Sequence, residues 1–432
     1  MKLISYWQDT APSAGDFRST SVPDEADVAI VGAGLTGLSA ALELARNGAK
    51  VVVFESHHVG WGASGRNGGM ATTGTAIGLN QTIKRYGRDA AIEYHLEYDR
   101  AIDTVEAIVH EHSIDCHFVR HGKLSLALTP QDIRRMRTTA QVVREIGGLP
   151  ELKVLGPEEI GEEIGSRFYC GGVVDPKGAG LHVGKFVNGL AGAAHRAGAT
   201  ICENAPVVSL DSSGGRHLVQ SSRGATRVSE VLIATSGYTG ALTPWLRRRV
   251  IPVGSFIICT EPLGADLAAE VLPRGRMASD AKMLTYYFRL TPDNRLLFGG
   301  RARFALSTPD SDLKSSRILR KAMVEVFPQL SRTKIDYTWG GLVDISMDQM
   351  VHVGVHRGVH YSLGYSGHGV QMATHSGREL ARKLLGKRDD LPFQSIAFPA
   401  VPGHFGPPWF LPLIGAGAQL ADRWNLYRGN RK

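Results

Sequence analysis

The run DVAIVGAGLTGLSAALELARNGAKVVVFE, Asp27 to Glu55, constrains this chain more than any other stretch. An apolar β-rich run, a glycine turn, a helix-forming run and a second apolar run succeed one another in about thirty residues, the length of a βαβ unit. Parallel strands joined in this way lie in a sheet that helices cover on both faces, so the chain begins an α/β domain. The turn carries Gly32, Gly34 and Gly37, with Ala33 and Thr36 among them. In this spacing the first glycine permits the tight turn, the second lets a pyrophosphate approach the backbone, and the third lets helix and strand pack closely. Glu55 ends the second strand about twenty residues later, where a carboxylate accepts the ribose hydroxyls of an adenosine. A dinucleotide site is the reading this combination supports; a purely structural turn is the alternative.

The stretch Gly60 to Met70, GWGASGRNGGM, helps to separate NAD from FAD. An NAD protein usually continues from the acid into a helix over the adenine and needs no second anion cradle there. Here Ser64, Arg66, Asn67 and the amides from Ala63 through Gly68 and Gly69 offer further donors, suited to the pyrophosphate and ribityl chain of FAD. A merely flexible loop is the competing reading.

At 432 residues and 43% hydrophobic, the chain has the material for two domains sharing an interface. Its net charge of +8 is spread along the sequence, with short basic clusters at Arg134 to Arg137, Arg247 to Arg249 and the C-terminus. Nucleic-acid binding calls for clustered charge and interleaved aromatics, so it is not expected. Cys116, Cys170, Cys202 and Cys259 form no CxxC pair, and no metal-ligand spacing occurs; reduced, buried thiols are expected and a metal site is not. No signal peptide or window of about 18 apolar residues is evident, which points to a cytoplasmic protein with no integral membrane segment. WFLPLIGAG near the end is apolar but short and interrupted by proline, and is expected to pack on the body.

Beyond Glu55 the pattern predicts helix from Gln81 to about Glu111, a strand in HGKLSLALT, and an amphipathic helix over Pro130 to Ile146. A second α/β stretch runs from VGKFVNGLAGAAHRAGA to VSEVLIAT. FIICTE, TYYFRLT and RLLFGG suit an antiparallel sheet, with a helix near Ser311 to Phe327. VHYSLGYSGHGVQMATHSGRELARKLLG then returns to strand, glycine loop and helix.

With VGAGLTGLSAALELARNGAKVVVFE, GASGRNGG, WGGLVDISMD and GYSGHGV in place, the chain resembles the D-amino-acid oxidase superfamily of FAD-dependent oxidoreductases, from SYW near the start to about Gly386. The last three motifs look most like its gamma-glutamylputrescine oxidase branch. The resemblance implies an α/β fold with a Rossmann-like, GR2-type FAD-binding domain and an interleaved, mostly antiparallel substrate domain. The expected boundaries are an N-terminal arm over 1–24, an FAD-binding domain from 25–90, 151–245 and 340–390, a substrate domain from 91–150 and 246–339, and a tail over 391–432. It further implies that Gly367, His368 and Gly369 lie beside the flavin, that a helix starting near Val370 points its positive end at the ring, and that Gly341 and Val207 contact the cofactor, Val207 at the adenine.

Departures from relatives bear on the substrate. Glycine-oxidase-like members grip the substrate α-carboxylate with an arginine where this chain has Val343, and sarcosine oxidases place a lysine where it has Gln371. Both anchors are missing, so an amine substrate is favoured over an α-amino acid. Asp344 either faces an ammonium group or is bonded to backbone amides. One of Tyr286 and Tyr287 is expected to line the pocket and the other to pack outside it; Arg289 reads as a surface ion pair, with binding of a distal carboxylate the alternative, and Trp61 and Phe256 as pocket wall or core. His368, Tyr287 and Asp344 are the catalytic candidates.

The implied chemistry is hydride transfer from the carbon bearing a neutral amine to flavin N5, followed by imine hydrolysis and, with O2 as acceptor, H2O2 formation. Another electron acceptor remains open, because the segment matching the oxygen-activating lysine of sarcosine oxidases places Leu297 there. A D-amino-acid or N-methyl amino-acid oxidase or dehydrogenase, and a non-catalytic flavoprotein subunit, are the alternatives, and a homo-oligomer is possible. Noncovalent FAD is expected: no cysteine follows Cys259, the Trp-His pair whose histidine makes the link in some relatives aligns with Gly65 and Arg66, and His57 and His58 sit too near the adenosine end.

Overall fold

Val28–Val31 and Val51–Phe54 are buried at every position, as parallel strands covered on both faces require. In the computed structural model, which describes residues 1–300 and 304–429 with side chains up to Asn425, they form the centre of a six-stranded sheet. Its order is His352–His356, Val359–Leu363, Glu230–Ile233, Val28–Val31, Val51–Phe54 and Thr200–Cys202. All pairings are parallel except that of the His352–His356 edge strand. The Leu35–Ala45 helix is buried along its whole length. It crosses the Gly369–Leu384 helix so closely that a Cβ on Gly377 would lie 2.2 Å from the Thr36 carbonyl oxygen.

A second sheet has eight strands, in the order Ile335–Ser346, Val250–Thr260, Leu296–Gly300, Tyr286–Leu290, Met277–Asp280, Lys123–Ala127, Gly171–Asp175 and Lys153–Leu155. It is antiparallel except where Met277–Asp280 runs parallel to Lys123–Ala127. Strand alternation splits its side chains between two environments. Leu124, Leu126, Ala278, Phe288 and Phe298 fill a core with Leu319 and Met323 of the Pro309–Val326 helix. The opposite face, with Lys123, Met277, Tyr287, Ser255 and Gly341, looks toward the parallel sheet. The helices at Pro130–Ile146 and Pro309–Val326 begin where their sequences say: Thr129 with Asp132, and Thr308 with Ser311, form capping boxes ahead of a first-turn proline.

The structure draws some boundaries differently from the sequence expectation. Lys153–Leu155 and Gly171–Asp175, assigned to the dinucleotide domain, are strands of the eight-stranded sheet, as is Gly341. The Arg88–Glu111 helix, assigned from residue 91 onward to the substrate domain, instead shares a core with the dinucleotide domain through Tyr98, Ala101, Ile102 and Val105. Periodicity reports which face of an element is buried and is silent on what covers it. The N-terminal segment, read as a polar arm, holds a short helix, Tyr6–Thr10, with Trp7 fully buried. The tail is helical over Leu411–Gly429. Pro412 stands in its first turn, where proline is tolerated, and so does not interrupt it. Only one side of that helix is seated: Leu411 and Ala418 are buried while Leu413, Leu420 and Trp424 are exposed. No helix among the described residues is long and apolar enough to cross a membrane. Cys116, Cys202 and Cys259 are buried free thiols and Cys170 is half-buried.

Candidate active site

A cavity of about 860 Å³ lies between the C-terminal ends of the parallel strands and the facing side of the eight-stranded sheet. That is a generous volume for a ligand site. One end is built from the βαβ unit. Gly32 turns with φ +110° beneath the Ala234 carbonyl, and a Cβ on Gly37 would fall 2.0 Å from the Gly32 oxygen, so helix and strand meet through bare backbone. Glu55 stands at the end of its strand with Oε2 accepting the Ala33 N–H at 2.9 Å and Oε1 accepting the His57 N–H at 2.9 Å. Oε1 also accepts the Ser56 hydroxyl at 3.2 Å, so Oε2 is the oxygen that retains a lone pair for a ribose hydroxyl. Val207 lines the same end.

The second loop closes over the first. Ser64 Oγ accepts the Leu35 N–H at 2.9 Å and so caps the buried helix from thirty residues away, while Gly34, at the N-cap, has no side chain to do so. Asn67 holds the loop's own shape, donating to the carbonyls of Ala63 and Ser64 and accepting the Gly69 N–H at 2.8 Å. Arg66 lies with its guanidinium 4.5 Å from the Trp61 ring, and its carbonyl accepts the Trp339 Nε1–H at 2.9 Å. Trp61 in turn stacks on His57, with ring centroids 3.7 Å apart.

Gly32, Ala33, Gly34, Thr36, Glu55, Ala63, Ser64, Arg66, Asn67, Gly68, Val207, Gly341, Gly367, His368, Gly369 and Val370 all line this cavity. Gly37 and Gly69 do not. Gly37 serves the packing of helix on strand. Gly69 turns with φ +65°, gives its amide to Asn67, and leaves no room for a Cβ against the Leu181 carbonyl 2.5 Å away.

On the other wall, Tyr287 faces the cavity and reaches Ser255 Oγ at 3.0 Å, while Tyr286 packs outside with Phe298 and Lys282. Trp61 is cavity wall, whereas Phe256 belongs to the core behind the sheet. Val343 lines the cavity; Gln371 is buried with Nε2 donating to the Thr72 carbonyl. Leu297 is buried in the core shared with the dinucleotide domain; the RAR end of its segment lies outside the described residues.

Asp344 also borders the cavity, yet its carboxylate is tied to the protein. Oδ2 accepts the Gly364 N–H at 2.7 Å, the backbone oxygen accepts the Ser366 N–H at 3.0 Å, and burial pushes the carboxyl up to about 6. The backbone-anchor role of the two sequence readings is therefore the one the geometry displays. His368 stands at the cavity edge, its ring edge-on to Tyr98 at 5.4 Å. The Gly369–Leu384 helix starts there with no side-chain cap. Arg289, expected as a surface ion pair, is buried instead. Its Nη1 donates to the carbonyls of Gly69 and Leu181, and burial draws the guanidinium down to about 10.

Several participants escaped the sequence reading. Ser5 Oγ donates to the Gly65 carbonyl at 2.7 Å, and Trp7 Nε1 donates to the Asn67 carbonyl at 2.7 Å, so the N-terminal segment braces the second loop. Lys123 lines the cavity, and alternation in HGKLSLALT would have placed it opposite the core residues Leu124 and Leu126. Two helix N-termini without a cap of their own, a carboxylate at a strand end, and a glycine loop between them fit FAD, and Gly34 with the Ser64–Gly68 loop, Glu55 and Gly367–Val370 are the residues that could hold it.

Residues 27–383 match the family described as FAD dependent oxidoreductase (DAO). The chain is 35% identical over 411 residues to a probable oxidoreductase, OrdL, of Haemophilus influenzae, covering 92% of each protein. It is 31% identical over 384 residues to gamma-glutamylputrescine oxidoreductase of Escherichia coli, covering 88% of this chain and 89% of that one. Among solved structures it is similar in fold to a glycine oxidase of Geobacillus kaustophilus, with a TM-score of 0.74 at 21% identity over 88% of this chain and 99% of that one. A cavity with the features FAD requires and a family match that spans most of its length make this chain a member of the FAD-dependent oxidoreductases of the DAO family.

Proposed function

We propose that the protein oxidises the C–N bond of an aliphatic amine of the gamma-glutamylputrescine type to an imine, which water converts to an aldehyde and ammonia or a smaller amine. FAD supplies the two-electron acceptor. The carrying observation is the wall beside the flavin loop: Val343, Gly341, Tyr287 and Ser255 line it, so among the described residues the position from which glycine-oxidase-like proteins hold an α-carboxylate carries an apolar side chain, Val343, in place of a cation. A carboxylate buried against that wall would be unpaired and costly, whereas a neutral amine meets the Tyr287 and Ser255 hydroxyls without penalty. The similarity to gamma-glutamylputrescine oxidoreductase supports the same reading.

In this account the protein's own groups position and exclude water rather than move protons. Gly68 and Gly341 keep the backbone low on either side of the ring position. Trp7, Arg289 and Trp339 hold the second loop rigid behind it. Binding the amine as the free base removes the need for a side-chain base, so Asp344 and His368 act as supports for the flavin loop. We propose noncovalent FAD and O2 as acceptor, giving H2O2.

An anaerobic panel tests the reading. Gamma-glutamylputrescine and related monoacylated diamines are expected to bleach the flavin, with a reduction rate that rises about tenfold per pH unit below the amine pKa of about 10. Bleaching by glycine, sarcosine or D-alanine alone would overturn the substrate class; a flat pH profile would overturn the free-base step. Yellow colour remaining in an acid-denatured pellet would overturn noncovalent attachment.

A further inference from the structure

Lys123 is a half-buried cation that the chemistry above does not use. It begins the Lys123–Ala127 strand, with Asp175 opposite it on one neighbouring strand and Met277 beside it on the other. Leu124 and Leu126 point into the core behind the sheet, so Lys123 projects from the cavity face, where it is part of the lining. Among the described residues, no carboxylate lies within ion-pairing distance of its ammonium and no hydrogen bond holds it. Asp175 is the acid that influences it, and one Asp175 oxygen accepts the Lys177 N–H at 3.0 Å. Burial draws the lysine below its ordinary value. Leaving a half-buried ammonium without a partner is costly, and the surroundings that would offset the cost are on the cavity side, where a ligand would sit.

The sheet register gives the distance between this charge and the amine end of the site. Tyr287 is paired with Ser279, and Ser279 with Ser125, so Tyr287 and Ser125 are two strands apart in one row. Lys123 is two residues along from Ser125 on the same face. With strands about 4.8 Å apart and about 3.3 Å per residue, the Cα atoms of Tyr287 and Lys123 are separated by roughly 12 Å. An α-amino acid, whose amine and carboxylate share a carbon, cannot span that gap. An extended amine with an acid at its far end can.

We propose that Lys123 is the second pole of the substrate site, an ammonium that pairs with a carboxylate remote from the amine being oxidised. The proposal rests on the amine-oxidase reading only for where the other end of the ligand lies. Met277 borders the path between the poles and suits a methylene chain.

Two ligand pairs test it on the FAD-loaded enzyme. The first is glutaric acid mono-n-butylamide against N-acetyl-n-butylamine; neither carries an amine, they differ by the distal carboxylate, and binding is read from the flavin absorption spectrum. Wild type is expected to bind the carboxylated amide at least about 100-fold more tightly, and Lys123→Met to lose that preference while Lys123→Arg keeps most of it. The second pair is gamma-glutamylputrescine against N-acetylputrescine in anaerobic reduction. Lys123→Met is expected to raise the apparent Kd for the first by a similar factor, leaving the limiting reduction rate and the N-acetylputrescine values within about threefold. Equal binding of the two amides by wild type overturns the proposal even if Lys123→Met does not fold. So does an unchanged preference in Lys123→Met, or a Lys123→Met effect confined to flavin reoxidation by O2. If the amides discriminate as expected and no amine bleaches the flavin, the carboxylate anchor stands and the amine-oxidase reading falls.

Discussion

From Val28 to Glu55 the glycine turn is shaped chiefly by the same short segment and the strand alongside it, with Ser64 added as a cap on its helix; from Gly60 to Met70 the contacts come from the whole chain. Gly37 sits on Gly32, and Ala33 binds Glu55. By contrast, the second loop takes Ser5 and Trp7 from the N-terminus, Arg289 from the middle of the eight-stranded sheet and Trp339 from its edge. The first half of the cradle is a local motif with no slack. The second is an irregular backbone whose carbonyls need outside donors, since a loop lying under other structure cannot satisfy them with water. The difference predicts different failures: the local half should break all at once, and the assembled half should loosen by degrees.

The largest effect is expected at the local half. In Gly37→Val the new Cβ meets the Gly32 oxygen at 2.0 Å and Ile30 Cγ2 at 3.0 Å, and neither backbone can retreat without parting helix from strand. The variant should yield no soluble yellow protein. Recovery with wild-type FAD content would show that the turn is less rigid than its geometry implies.

A smaller and more selective loss is expected from Trp7→Ala. Removing a fully buried tryptophan costs about 3–5 kcal/mol, and here it also strips the donor from the Asn67 carbonyl. The far-UV spectrum should remain that of wild type while FAD affinity falls by at least about tenfold. An unchanged FAD dissociation constant would mean that the second loop keeps its shape without the N-terminal brace, which would erase the contrast drawn above.

The smallest effect depends on pH. Burial raises the Asp344 carboxyl to about 6 in the folded protein, against about 3.9 in an unfolded chain. The folded form therefore keeps a proton that the unfolded form has released. The contribution of this group to stability is fully present below about pH 4 and is lost as pH rises to about 6. A two-unit gap corresponds to about 3 kcal/mol at most. In Asp344→Asn this dependence disappears. The stability of the variant relative to wild type should climb between pH 4 and 6 and then level off, as read from urea unfolding. A difference that stays constant across that range would show the carboxylate to be ionised throughout.

The same contrast explains what could be read from the sequence. Gly32, Gly34 and Glu55 were legible because each depends on spacing within one segment, and spacing is what a sequence displays; the Gly367–Val370 loop was expected through the family resemblance alone. Tyr287 was legible as one of an adjacent pair, because strand alternation sends neighbours to opposite faces. Trp7 and Arg289 were not, since their importance comes from carbonyls some sixty and two hundred residues away. Arg289 in particular looks like any strand arginine until Gly69 and Leu181 are brought to it. Lys123 was hidden for a related reason: its strand was recognised, but the parallel pairing with Met277–Asp280 that puts it in the cavity wall is long-range. The extra strands at Lys153–Leu155 and Gly171–Asp175 joined the eight-stranded sheet for the same reason.

The crossing of the Leu35–Ala45 and Gly369–Leu384 helices carries a cost in time. Ser39 and Thr374, hydrogen-bonded at 2.6 Å, are 335 residues apart. At the usual pace of about 5–20 residues per second, the second helix leaves the ribosome on the order of tens of seconds after the first. During that interval the first helix, apolar on nearly all sides, has no permanent cover, and the ring end of the cradle has not been made. Flavin capture thus belongs to the close of synthesis, and nascent chains halted before Gly369 should hold no FAD. A cell making this protein must shelter an early, sticky segment until the late one arrives.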